Sequence, residues 1–178
     1  LAQLHKSGGN TRYGFSCETF CGKSAQPNDW EDNWGHFFAV KRLGHQLMRF
    51  HHTSIGETKT AHFIDYIRRQ LRDRQPAPAL LHGDLSHAHL GFADGIPVTH
   101  NPASYFGDHE VDLAMSELYN RLPEAFYRGY ESISPLDKDY PKRRPIYQLY
   151  QRLNLANRFA GEYRQAAELA LKQLMTPS

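Results

Sequence analysis

The chain has 178 residues, 40% of them apolar and 22% charged. That is the make-up of one folded globular domain and excludes a largely disordered segment. A net charge of +2 lacks the basic field that nucleic-acid binding needs. No transmembrane run, leader or lipidation motif is visible in the sequence, so the expected location is the cytoplasm and no membrane partner is expected.

In chain order, Leu1 to His5 reads as the end of a helix that Ser7-Gly8-Gly9-Asn10 breaks. Tyr13 to Gly22 reads as a loop or short irregular strand. Cys17 and Cys21 are the two cysteines, and with no second pair they read as reduced thiols. Asn28-Asp29 opens a long helix in which Trp34, Phe37, Phe38, Val40, Leu43, Leu47 and Phe50 recur at helical spacing, a core stripe. His51 and His52 place favourable charge at that helix's end. Thr60 to Arg74 is a second helix, stopped by Pro76 and Pro78. Arg68, Arg69, Arg72 and Arg74, like Lys142, Arg143 and Arg144 further on, read as solvated faces. Asp108 to Asn120 is expected to be helical, with Asp108, Glu110 and Asp112 complementing its dipole. Pro123 to Tyr130 is a short helix, Pro135 to Pro145 a loop, and Ile146 to Leu174 one or two helices with a kink at Gly161. The expectation is a mainly α fold, one domain over residues 1–178.

The densest chemistry lies between Leu80 and Met115. Four of the eleven histidines fall between His82 and His100, together with Asp84, Asn101, Asp108, Glu110 and Asp112. Ala93-Asp94-Gly95-Ile96 is a hairpin signal, because Asp-Gly supplies the positive φ angles of a two-residue loop. That turn sets Ala93 opposite Ile96, Gly91 opposite Val98, Leu90 opposite Thr99, and His89 opposite His100. In an extended strand His87 shares a face with His89. The pattern predicts a metal site of His87, His89 and His100, holding Zn²⁺ or a similar divalent ion with one position open for water. Asp84 is then the base or a fourth ligand, and His82 or His109 its orienting neighbour.

The same stretch carries a resemblance. HGDL at His82 to Leu85 and NPASYFGDHEVDLAM from Asn101 to Met115 resemble the catalytic segment of the fructosamine (ketosamine) kinases, relatives of the aminoglycoside phosphotransferases. LAQLH from Leu1, GF at Gly14, CG-x-x-x-Q-x-N from Cys21, FF-x-x-x-RL from Phe37 and YQLYQRLNLANRF from Tyr147 follow in the same order. The resemblance implies the helical C-terminal lobe of a kinase-like fold with a small β-hairpin. It gives Asp84 the role of accepting the sugar hydroxyl's proton. It also places the two magnesium ligands at positions here occupied by His89 and Asn101, in place of asparagine and aspartate. The family's small β-rich N-terminal lobe, which carries the phosphate-covering loop and lysine, has no counterpart in this sequence. The expectation is therefore a lobe that does not phosphorylate alone and that pairs as a homodimer through the surface that the small lobe would cover.

Together these readings favour a metal-dependent hydrolase of an ester, lactone or phosphoester, acting on a small molecule through the three histidines. The alternative is an inactive fructosamine kinase fragment or binding module. A kinase completed by another chain's small lobe ranks third, since it asks Asn101 to do an aspartate's work.

Overall fold

In the computed structural model, residues 1–50 and 57–175 are described. The expectation for His51 and His52 lies outside them. The chain opens with α1 (Ala2–Lys6) and a hairpin of β1 (Thr19–Cys21) and β2 (Ser24–Gln26) closed by Gly22-Lys23. Next come α2 (Trp34–Phe37), a π-helical stretch (Phe38–Gly44) and α3 (His45–Phe50), which abut one another. This helix starts later than Asn28-Asp29 suggested. The reason is a cap: Asn33 Oδ1 accepts a hydrogen bond from the His36 amide at 2.8 Å, satisfying a donor that the first turn leaves free. The aromatic stripe is core as expected, with Trp34, Phe37, Phe38, Leu43, Leu47 and Phe50 all buried.

Then follow α4 (Glu57–Gln70) and β3 (Ala79–Leu80), a 3₁₀ turn (His87–His89), the hairpin β4 (Leu90–Ala93) and β5 (Ile96–Thr99), and β6 (Phe106–Gly107). The four helices α5 (Glu110–Ser116), α6 (Glu124–Glu131), α7 (Tyr140–Phe159) and α8 (Gly161–Met175) complete the chain. The β4–β5 register pairs Ala93 with Ile96, Gly91 with Val98 and Leu90 with Thr99, as the turn residues required. Asp94 and Gly95 sit at φ 51° and 78°, the conformation that favours Asp-Gly there.

Two further strand pairs escaped the sequence reading. β1–β2 carries Cys21 and Gly22, and the antiparallel pairing of β3 with β6 ties the segment before His82 to the segment before Asp108. Both use strands of two or three residues, too short for a period-2 pattern to register. The expected loop at Pro135 to Pro145 is also shorter, since α7 begins at Tyr140. Pro141 falls in its first turn, where no amide hydrogen is missed. α7 packs against α3, α5 and α8, and its Tyr147, Leu149, Tyr150 and Leu153 are buried. The chain breaks between α7 and α8 at Ala160, which takes φ 53°. Among the described residues no helix is long and apolar enough to cross a membrane.

Candidate functional site

The site is built on the loop that leaves β3. Gly83 takes φ +79°, and a Cβ there would run into the Ala103 carbonyl oxygen, so only glycine allows the chain to turn between His82 and Asp84. The loop is held from below by Asp112 on α5. Its Oδ2 accepts the His82 amide at 2.7 Å and its Oδ1 the Gly83 amide at 2.8 Å. His5 Nε2, from α1, donates to the same Oδ2 at 3.1 Å. Burial opposes ionisation of Asp112. The hydrogen bonds from His5 and the two amides outweigh it and hold the carboxyl below the usual range. Tyr130 on α6 extends the network, its hydroxyl lying 2.8 Å from His5 Nδ1 and 2.9 Å from His109 Nδ1.

Asp84, so placed, lines a cleft of about 720 Å³ between the β1–β2 turn, the His82–His89 segment, Asn101-Pro102 and α7. Gln151 Nε2 donates to its Oδ1 at 3.0 Å. Gln151 is fixed in turn, because its Oε1 accepts from Asn154 Nδ2 at 3.3 Å and from the Cys21 thiol at 3.4 Å. Burial pushes the Asp84 carboxyl up, and the charges of His89, His82 and Arg158 and a hydrogen bond with Cys21 offset this only in part. The Cys21 thiol, buried beside it, is also pushed well up and stays protonated. A carboxylate that resists ionisation in a cleft is a better proton acceptor than one in water.

The expected three-histidine metal site is not formed. Residues 87–89 make a 3₁₀ turn, closed by the His89 amide on the Ser86 carbonyl at 3.0 Å, where the alternation argument required an extended strand. At about three residues per turn, side chains two apart point in different directions, and His87 is exposed. His89 does face His100, with ring centroids 5.6 Å apart, but its other neighbour is His82, at 6.1 Å. These rings are engaged elsewhere. His89 Nδ1 donates to the Asp84 carbonyl at 2.7 Å, and His82 Nε2 to the His100 carbonyl at 3.1 Å. His82 Nδ1 faces the Asp84 amide at 3.3 Å, so its ring braces the loop from both nitrogens. Among the described residues no group of three His, Cys, Asp or Glu side chains is placed to hold a metal ion.

The acidic residues around α5 do more than complement a dipole. Asp108 receives a two-pronged pair from Arg74 at 2.8 and 2.9 Å and the Tyr147 hydroxyl at 2.7 Å. Glu110 receives a matching pair from Arg143, both bonds at 2.8 Å. Arg74 and Arg143 are therefore structural partners of buried carboxylates, not members of solvated faces.

Comparison with known proteins fits this geometry. The profile of the family described as "Fructosamine kinase" matches residues 1–177. The chain belongs to the fructosamine kinase family. A "Probable ketoamine kinase" of Synechocystis sp. is 44% identical over 176 residues, covering 98% of this chain and 60% of that protein. One from Vibrio parahaemolyticus is 38% identical, covering 99% and 61%. The crystal structure of a "Putative fructosamine-3-kinase" from Haemophilus somnus superposes with a TM-score of 0.93 at 33% identity, over 98% of this chain and 60% of that one. A second, from Thermobifida fusca, superposes with a TM-score of 0.85 at 24% identity, and shows the fold alone. The fold is therefore kinase-like and mainly helical, with small sheets, and the chain spans about three fifths of the length of these relatives. Kinases transfer phosphoryl groups, so kinship with ketoamine kinases overturns the expected metal-dependent hydrolase, and zinc goes with it.

Magnesium, which the family resemblance implies, fits these residues poorly. The two ligand positions hold His89, whose Nδ1 is spent on a backbone carbonyl, and Asn101, uncharged and exposed at φ 54°. Asp84 is the one carboxylate lining the cleft among the described residues. Mg²⁺ demands oxygen ligands in near-octahedral array, usually with one or two carboxylates.

Gln151, His5 and Arg158 were not singled out from sequence, and Asp112 was read there as complementing a helix dipole, not as the support of the His82–Gly83 loop. The signal was present in part, since Gln151 and Asn154 stand three apart on one helical face and Cys21 lies in a quoted motif.

Proposed function

We propose that this chain carries the acceptor-binding, proton-accepting part of an ATP-dependent ketoamine kinase site. The observation that supports it is Asp84, the cleft's one carboxylate among the described residues, braced by Gln151 and raised in pKa by burial. In this reading the ketoamine's sugar seats a hydroxyl against Asp84. The carboxylate takes the hydroxyl proton as the oxygen bonds to the terminal phosphorus of ATP, and ADP leaves. Asp112 and Gly83 set the height of Asp84 in the cleft, and Gln151 sets the plane of its carboxylate. His89 and Asn101 make a poor magnesium pair.

A second reading, a ketoamine-binding chain without transfer, is favoured by those same two residues. One experiment separates the two. The chain, mixed with the N-terminal lobe of a ketoamine kinase relative, is incubated with ATP, magnesium and fructosyl-glycine, phosphorylated product is followed by phosphorus NMR, and binding is followed by calorimetry. Transfer that Asp84→Asn cuts by about 10²–10⁴-fold, the usual worth of a positioned base, supports the kinase reading. Binding without product supports the second. Neither binding nor product overturns both.

A further inference from the structure

Arg158, near the end of α7, lines the same cleft as Asp84. Its setting differs from that of the arginines held in ion pairs. Arg74, Arg121, Arg143 and Arg144 each pair with a carboxylate, whereas among the described residues no carboxylate forms an ion pair with Arg158. Its side chain is exposed at the cleft. The guanidinium packs directly over Gly22 in the β1–β2 turn, in space that any Cβ would fill, and its carbon lies 4.8 Å from the centre of the Phe159 ring. Gly22 is at φ +60°, so the turn and the cradle ask for the same residue. Arg158 is also the one lysine or arginine that lines the cleft among the described residues, and its charge is felt at Asp84.

An exposed cation with no ion-pair partner, on a cleft that also holds a carboxylate, suits a substrate that carries an anion as well as a hydroxyl. We infer that Arg158 reads a carboxylate on the ketoamine, so that the preferred acceptor is the ketoamine formed on the α-amine of a free amino acid. In such a molecule the sugar hydroxyls and the carboxylate lie on opposite sides of the amine. One end meets Asp84 and the other Arg158. A ketoamine on a protein's lysine side chain has no carboxylate near its amine and gains nothing from this residue. The inference rests on the ketoamine-binding reading of the cleft and adds to it the chemistry of the amine's substituent.

The test is calorimetric titration of the full chain with fructosyl-glycine and with fructosyl-glycinamide, which differ only in the carboxylate. The acid is expected to bind about fivefold tighter, the upper end for an ion pair open to water, and the preference to shrink as salt is raised. Arg158→Gln is expected to bring the ratio of the two affinities to about one, and Gly22→Ala, which displaces the guanidinium, to lower it. Equal binding of the two ligands by the unaltered chain overturns the role of Arg158 and leaves the ketoamine reading standing. A preference that survives Arg158→Gln likewise assigns it elsewhere. Binding of neither ligand overturns both.

Discussion

Replacing Asp112 by asparagine tests whether the loop carrying Asp84 is hung from a buried charge. The carboxylate accepts three hydrogen bonds, from the amides of His82 and Gly83 and from His5 Nε2. Asparagine has nearly the same shape but one acceptor oxygen. If that oxygen takes the Oδ2 position, the amide nitrogen confronts the Gly83 N–H. In the other orientation it confronts both His82 and His5. At least one buried donor is thus left facing another donor, and the remaining bonds lose their ionic character. Bonds to charged groups are worth about 1.5–3 kcal/mol each, so a loss of about 3 kcal/mol is expected. With a urea slope of about 2 kcal/mol/M, the unfolding midpoint falls by about 1.5 M. The pH dependence carries the sign. Asp112 is held below its unfolded value of about 3.9, so the stability it contributes is complete above that pH and is lost as pH falls through the folded pKa. The gap between the unaltered chain and Asp112→Asn therefore narrows below about pH 4, where other carboxylates titrate alike in both. A midpoint shift under about 0.3 M, or a gap that stays constant from neutral pH to about 3, refutes the reasoning.

Asp84→Asn acts in the opposite direction on stability. Its carboxyl is raised in the folded state, so ionisation at neutral pH costs stability that returns as pH falls through the folded pKa. The variant is expected to melt higher near pH 7, by about 2–4 °C per kcal/mol recovered at this chain length, with the gain vanishing in acid. Scanning calorimetry at pH 7 and 4 checks this. Gly83→Ala forces a side chain into a left-handed conformation and against the Ala103 carbonyl, and is expected to cost about 2–4 kcal/mol in urea unfolding. His87→Ala, at an exposed ring with no partner among the described residues, is expected to change stability by less than about 0.5 kcal/mol. Elemental analysis after zinc exposure and desalting is expected to find far less than one ion per chain in both proteins.

The parts legible in the sequence were those governed by local chemistry. Asp94-Gly95 dictated a two-residue turn, and the turn dictated every pair of the β4–β5 ladder. The aromatic stripe from Trp34 to Phe50 announced a buried helix by its period. The error at His87 came from extending the strand three residues ahead of its start at Leu90. Ser86 and His89 close a turn there, which rotates one imidazole away from the other. The site's supports were hidden for a different reason. Asp112 reaches back to His5 and His82, and Gln151 to Asp84 and Cys21, separations at which no periodicity survives. Arg74 and Arg143 looked like members of basic clusters because nothing local marks which charge of a run will find a buried partner.

That division also separates what holds Asp84 from what surrounds it. The groups that position Asp84 are His5 on α1, Asp112 on α5 and Gln151 on α7, in a largely buried network of hydrogen bonds. Removing one of them leaves an unpaired polar group in the interior, so substitution there is expensive. His89 and Asn101 lie above the loop, at half-buried and exposed positions, where an exchanged side chain still finds a backbone carbonyl or water. Positions 89 and 101 are therefore free to vary while Asp84 is not moved. On the proposed reading, Asp84 and its cleft stay in place whichever side chains stand at 89 and 101.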